Sequence, residues 1–170
     1  ALDVLDIGVG NGASLRMWRE WLPHARLFGL EARRISLDPP VLGSRVFHGS
    51  QADLDMLYCI LREGRFRVVV DDGSRHAQDQ IFTFTTLFPW LPPGSVYICA
   101  GIPTAFAGSN DNPAGLEAAD WFASLGRSLL GGDAPAADPA VASLIRRKAS
   151  GVFLMCGSAI VLSTNHDARP

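Results

Sequence analysis

Leu2-Asp3-Val4-Leu5-Asp6-Ile7-Gly8-Val9-Gly10-Asn11-Gly12 decides the reading of this chain. An apolar run ends in three alternating glycines, and Leu15, Trp18 and Leu22, with Met17 and Trp21, then recur at helical spacing. The pattern predicts strand, tight turn and helix. Glycines in such a turn let the backbone approach a ligand closely, and the helix that follows presents free N–H groups to an anion.

The same alternation continues outward from this unit. Ala25 to Leu30 reads as a second strand ending at Glu31, and Arg45 to His48 as a third. Leu54, Leu57, Tyr58 and Leu61 make a helical stripe closed by Gly64. Phe66 to Val70 is a β-branched run ending in Asp71 and Asp72. Ile81, Phe84 and Phe88 mark a further helix before Pro92-Pro93-Gly94, and Val96 to Cys99 is a fifth strand. A loop from Gly101 to Gly115, a helix from Leu116 to Leu130 and a flexible connection from Gly131 to Pro139 follow. Val152 to Met155 and Ile160 to Leu162 are too close for a crossover, so they predict a hairpin with a type II′ turn near Gly157-Ser158. The expected fold is α/β: a Rossmann-like, doubly wound, mostly parallel sheet with a C-terminal antiparallel β-hairpin.

The chain has 170 residues, 48% of them hydrophobic and 19% charged, which fits a single domain over 1–170. Lys plus Arg is 15 against 17 for Asp plus Glu, a net charge of -2, so there is no broad basic face for nucleic acid. No apolar run is long enough to span a bilayer, which argues against a membrane partner. Cys59, Cys99 and Cys156 lie in apolar stretches without zinc-ligand spacing and read as buried, reduced thiols. With no secretory signal visible, a cytoplasmic protein is expected. The chain opens directly in a strand, which suggests that an N-terminal segment is lacking.

In an open parallel sheet, ligands bind beyond the carboxyl ends of the strands. Asp6, Gly8, Gly10 and Gly12 follow strand one, Glu31 ends strand two, and Ser50 and Gln51 follow strand three. Asp71 and Asp72 end strand four, with Ala100 and Gly101 after strand five. Glu31 is placed to accept both hydroxyls of a ribose. The third glycine comes one residue early for a nicotinamide fingerprint, and an acid at Asp6 would repel a pyrophosphate but engage an ammonium. These details favour S-adenosylmethionine over NAD.

Asp6-Ile-Gly-Val-Gly-Asn-Gly-Ala-Ser-Leu-Arg-Met-Trp18, Val46-Phe-His-Gly-Ser-Gln-Ala-Asp53, Val70-Asp-Asp-Gly-Ser74 and Leu87-Phe-Pro-Trp-Leu-Pro-Pro-Gly94 come in one order. Thr104-Ala-Phe106 follows them. In these segments the chain resembles class I S-adenosylmethionine-dependent methyltransferases, more narrowly the macrolide-sugar O-methyltransferases of the mycinamicin and macrocin type. The resemblance implies that Gly8, Gly10 and Ser14 line the methionine end and that Glu31 holds the ribose. It implies further that Ser50 and Gln51 border the adenine and that Asp71 lies beside the cofactor. Where that family has Asp, Ser50 offers only a hydroxyl to the adenine amino group.

That family uses Mg²⁺ and a histidine base. Of its metal ligands this chain keeps Asp72, while Ala100-Gly101 replaces an acidic pair, so Mg²⁺ is expected to be unlikely here. Arg75 replaces the base and cannot act as one near neutrality. His76 lies one residue later. It serves only if the turn shifts its register; otherwise it is a solvent-facing histidine, which is the preferred reading. Arg75 has two further uses, pairing with Asp72 or with an anionic substrate, and a surface arginine is equally open.

Three functions stay open. They are an O-methyltransferase acting on a sugar or small molecule with Asp72, Arg75 and His76 at the reacting end, a non-catalytic cofactor-binding module, and an NAD-dependent oxidoreductase.

Overall fold

A computed structural model describes residues 2–34, 41–102, 118–133 and 138–164. The first strand, β1 (Asp3–Ile7), is buried along its whole length and leads through the glycine turn into α1 (Ala13–Trp21). Then come β2 (Arg26–Glu31), β3 (Ser44–His48), α2 (Leu54–Leu61), β4 (Phe66–Asp71), α3 (Ala77–Leu87), a single 3-10 turn at Phe88–Trp90, and β5 (Val96–Ala100). The described remainder is α4 (Ala118–Leu129), α5 (Pro139–Lys148), β6 (Ala149–Met155) and β7 (Ser158–Ser163).

These seven strands form one sheet in the order β3-β2-β1-β4-β5-β7-β6. The first five are parallel, and β7 pairs antiparallel with both β5 and β6. The strand order reverses between β1 and β4, which opens a crevice beyond their carboxyl ends. Alternating side chains of β1 feed two cores. Val4 joins Leu15, Leu27 and Val41 under α1, while Leu5 and Ile7 join Leu57, Ile60, Phe84 and Phe122 under α2, α3 and α4. Phe84 anchors the larger core, stacked on Phe88 at 4.8 Å and met edge-on by Tyr97 at 5.0 Å and Phe122 at 5.1 Å.

Charge is also built into the central strand. Asp3 is buried and accepts from the Arg26 guanidinium and from the Arg65 backbone N–H at 2.7 Å, so its desolvation is offset on both sides. Asp53 caps α2, accepting from the N–H groups of Asp55 and Met56.

Three expectations need correction. Residues 139–148 form α5, which the composition-based reading passed over. Asp138 caps the helix through the N–H groups of Ala140 and Val141, Pro139 stands at its first turn, and Arg146, Arg147 and Lys148 fill its last turn. Of the cysteines, only Cys99 is buried; Cys59 and Cys156 are exposed. Cys59 faces outward from a helix with one buried stripe, and Cys156 stands at the hairpin tip. The hairpin pairs Met155 with Ser158, so Cys156 and Gly157 are its central residues. Gly157, with φ +74°, takes the second central position, which fits a type II turn in place of the expected II′. The predicted features at Pro39-Pro40, Gly108 to Gly115 and Thr104-Ala-Phe106 lie outside the described residues, as does part of the connection after Gly131.

Candidate cofactor and acceptor site

A cavity of about 420 Å³ opens beyond the carboxyl ends of β1, β2 and β4. Its walls include Gly8 and Gly10 from the first turn, Glu31 from β2, Ser50 and Gln51 after β3, and Asp72 after β4. Sequence-predicted residues from four separate segments therefore meet at one pocket.

The first turn is shaped by close packing against the end of β4. Gly8 has φ +88°, and a Cβ there would lie 2.3 Å from the Asp72 carbonyl oxygen, so the two strand ends can meet only without a side chain. Its N–H donates to the Leu30 carbonyl at 2.8 Å, and the Asp72 N–H donates to the Ile7 carbonyl at 2.9 Å. The loops after β1 and β4 are thus tied to the sheet.

Glu31 is 6% exposed and spans the turn. Its Oε2 accepts from the Gly10 N–H at 2.8 Å, and its Oε1 accepts from the Arg33 N–H at 3.1 Å. Burial works to raise its pKa, yet these hydrogen bonds and the Arg33 charge hold it below the usual glutamate value. The carboxylate keeps lone pairs for further donors.

Asp6 and Ser14 are not among the residues that line the cavity. Asp6 is buried, and burial pushes its pKa up to about 6; the Ser14 hydroxyl opposes the shift and the nearby Asp72 charge adds to it. Asp6 Oδ2 has no hydrogen-bond partner among the described residues. A buried carboxylate oxygen left in this way matches a ligand that brings a cation or donor.

Asp71 is fully buried and does not line the cavity. It accepts from the Tyr97 hydroxyl at 2.9 Å, the Gln51 amide at 3.0 Å and the Gly73 N–H at 3.4 Å. Burial raises its pKa to about 6, while the Tyr97 and Gln51 hydrogen bonds pull the other way. Gln51 also donates to Thr83 Oγ1 at 3.0 Å, and its Oε1 accepts from the Ser74 N–H at 2.6 Å. Sequence reading missed Tyr97 and Thr83. Their signal is a polar atom on an otherwise apolar strand or helix face.

Ser50 is exposed at the rim, its Oγ turned back to the Ala52 N–H at 3.1 Å. Asp72 and Arg75 are exposed and form no ion pair with each other among the described residues, so the pairing raised from sequence is not made. His76 is exposed, precedes α3 at the N-cap position without a side-chain capping hydrogen bond, and is not a wall residue. Ser74 Oγ donates to Asp79 Oδ2 at 2.6 Å, a contact that sequence reading also missed. Among the described residues no cluster of three or more His, Cys, Asp or Glu side chains is arranged to hold a metal ion.

Curated proteins are similar to part of this chain. A tetracenomycin rhamnosyl 3′-O-methyltransferase of Streptomyces olivaceus is 36% identical over 112 residues, covering 61% of this chain and 28% of that protein. The mycinamicin VI 2″-O-methyltransferase of Micromonospora griseorubida is 36% identical over 111 residues, with the same coverage. The crystal structure of the MycE methyltransferase with Mg, SAH and mycinamycin VI superposes with a TM-score of 0.79 at 28% identity, covering 96% of this chain and 44% of that one. The chain has the class I methyltransferase fold, of the kind found in macrolide-sugar O-methyltransferases. It spans less than a third of the length of the curated methyltransferases it matches. No protein-family model matches it. Its similarity to these curated proteins is to O-methyltransferases, and no helix among the described residues is long and apolar enough to cross a membrane.

Proposed function

We propose that this chain is the cofactor-binding and methyl-transferring part of an S-adenosylmethionine-dependent O-methyltransferase whose acceptor is a sugar or another small hydroxylated molecule. The observation that carries the proposal is Glu31. A buried carboxylate, held ionised by Gly10 and Arg33 at the mouth of a glycine turn, suits the two hydroxyls of a ribose. The proteins that match the chain act on sugar hydroxyls by name, and one was solved with SAH.

The residues present suit this cofactor. Gly8 and Gly10 admit its methionine end, and the unpartnered Asp6 oxygen beside Ser14 suits the ammonium. Ser50 and Gln51 border the adenine, with Ser50 contributing at most a neutral hydrogen bond. Asp71 acts from beneath the site, fixing Gln51 and the Gly73-Ser74 backbone. S-adenosylmethionine supplies an electrophilic methyl on its sulfonium. The protein's part is to hold the acceptor oxygen in line with that methyl and to receive the hydroxyl proton. Asp72 stands on the wall where an acceptor would approach. His76 begins α3 beside it and assists only through a change in the turn.

The residues do not suit Mg²⁺. Asp72 is the single carboxylate left of the three that the resemblance implies, and Ala100-Gly101 supplies no side-chain oxygen. A hard dication requires several such ligands, so no step is assigned to a metal.

Calorimetric titration with SAH, followed by transfer of labelled methyl to a rhamnoside, tests the proposal. Binding with turnover is the expected result, and absence of SAH binding contradicts it. The replacement of the acidic pair also favours a second reading, a cofactor-binding module without catalysis, which predicts binding with no transfer to any hydroxylated acceptor.

A further inference from the structure

The ends of β4 and β5 carry an arrangement that shares Asp72 with the cofactor pocket and otherwise lies outside its walls. A Cβ built on Gly101 would lie 3.1 Å from Asp72 Oδ1 and 3.9 Å from both Cγ and Cζ of Arg75. The Arg75 side chain therefore lies over Gly101, at the strand end where the resemblance implies an acidic pair. Gly101 has φ +65°, and its missing side chain leaves room for the guanidinium. Carboxylate and guanidinium flank the same point without closing an ion pair among the described residues. A single hydroxyl oxygen hydrogen-bonded to both needs their polar atoms roughly 4.5–5 Å apart, wider than an ion pair and within the separation that their distances from Gly101 allow.

A second observation sits at the same strand end. Gln80 is fully buried and donates to the Ala100 carbonyl at 3.3 Å, while its own Oε1 has no partner among the described residues. The end of β5 is thus one donor short, which suits a ligand that brings hydroxyl groups.

We propose that the Arg75 guanidinium takes the place of a divalent cation, and that Arg75 and Asp72 together clamp the hydroxyls of a neutral, polyhydroxylated acceptor. The proposal rests on the methyltransferase reading above. Arg75 donates to an acceptor oxygen and Asp72 accepts from its hydroxyl, so the pair orients the acceptor as a shared metal would. A fixed cation at this point also repels a dication approaching Asp72. A fully anionic acceptor is disfavoured, because Asp72 and Asp79 lie on the same wall.

The test uses the whole 170-residue chain, with and without SAH, so that it reports whether or not the cofactor reading holds. Methyl α-L-rhamnopyranoside is the acceptor probe, followed by saturation-transfer NMR, and Mn²⁺ is the metal probe, followed by water-proton relaxation. The wild-type chain should bind the rhamnoside and show no saturable Mn²⁺ site below on the order of 1 mM. Arg75→Met should weaken rhamnoside binding by roughly tenfold or more, the loss of one charge-assisted hydrogen bond, and Arg75→Lys should recover part of it. SAH affinity, measured separately by calorimetry, should stay within about twofold in both variants, because Arg75 is outside the cofactor contacts. Combined Arg75→His, Ala100→Glu and Gly101→Asp should create a Mn²⁺ site; aspartate tolerates the left-handed backbone at that position better than most residues. A saturable Mn²⁺ site in the wild-type chain, or rhamnoside binding that is absent or unchanged by Arg75→Met, would overturn the proposal. Failure of the wild-type chain to bind SAH speaks against the cofactor reading alone, and the two probes decide the clamp independently.

Discussion

The Tyr97 hydroxyl donates to Asp71 Oδ2 at 2.9 Å, beneath the floor of the pocket and out of contact with it. Asp71 passes this constraint to Gln51, and Gln51 to the Ser74 backbone, so a residue on β5 fixes the loop that carries Asp72. Tyr97→Phe should lower stability by about 1–3 kcal/mol, because it leaves the buried Asp71 Oδ2 with only the longer contact from the Gln51 amide at 3.3 Å. It should also weaken SAH binding severalfold. Chemical denaturation and calorimetry on the same preparation check both effects.

Glu31→Gln keeps the size of the side chain and removes the charge that Gly10 and Arg33 stabilise. Each ribose hydroxyl then loses a charged acceptor, so SAH affinity should fall by roughly tenfold or more. Circular dichroism should show an unchanged fold.

The glycines of the first turn should respond unequally. Gly8→Ala places a methyl 2.3 Å from the Asp72 carbonyl oxygen and should cost at least about 3 kcal/mol or prevent folding. Gly10→Ala meets nothing within 4 Å at φ +55°, so only the backbone cost of about 1–2 kcal/mol applies. Thermal unfolding of the two variants gives the comparison.

Asp6 gives a pH dependence whose sign follows from burial. Its pKa is raised from 3.8 to about 6 in the fold, so its contribution favours folding below pH 4 and is lost as pH rises through 6. Glu31, with its pKa lowered, works in the opposite sense and its stabilisation is lost on acidification. Asp6→Asn should therefore gain stability relative to the wild-type chain at pH 8 by on the order of 1–2 kcal/mol and gain little at pH 4. Urea denaturation at the two pH values measures the difference. The same variant should weaken SAH binding, because the ligand's ammonium loses its charged partner.

Ser50→Asp restores the acidic partner that the resemblance implies for the adenine amino group. Ser50 is exposed at the rim, so the change is tolerated by the fold. SAH affinity should rise by about threefold to tenfold, a modest gain because the new contact is partly solvated. Calorimetry reads it directly.

Much of the fold was legible because strands β1, β3, β4 and β5 obey one rule, in which the run ends at a glycine or an acid and a helical stripe follows. β2 ends at Glu31 and leads to β3 with no helix among the described residues. The terminal hairpin was legible from the short spacing between its strands. α5 was not read, although Asp138-Pro139 and the basic Arg146-Arg147-Lys148 mark its two ends. The neighbouring Ala, Pro and Gly residues drew that stretch toward a loop. At the site, Glu31, Gly8, Gly10, Ser50, Gln51 and Asp72 were placed on one pocket by strand-end logic. Asp71 and Asp72 show the limit of that logic, since the last residue of β4 is buried and only Asp72, the residue after it, reaches the wall. Tyr97, Thr83 and the position of Arg75 over Gly101 arise from contacts between distant segments, which spacing along the chain does not encode.

The central claim is that the glycine turn and Glu31 hold an adenosyl cofactor. Diffraction from crystals grown with SAH tests it most directly. Ribose hydroxyls within hydrogen-bond distance of Glu31, and the methionine ammonium beside Asp6, are the expected result. A vacant pocket at saturating SAH, or a nucleoside turned with its ribose away from Glu31, would contradict it.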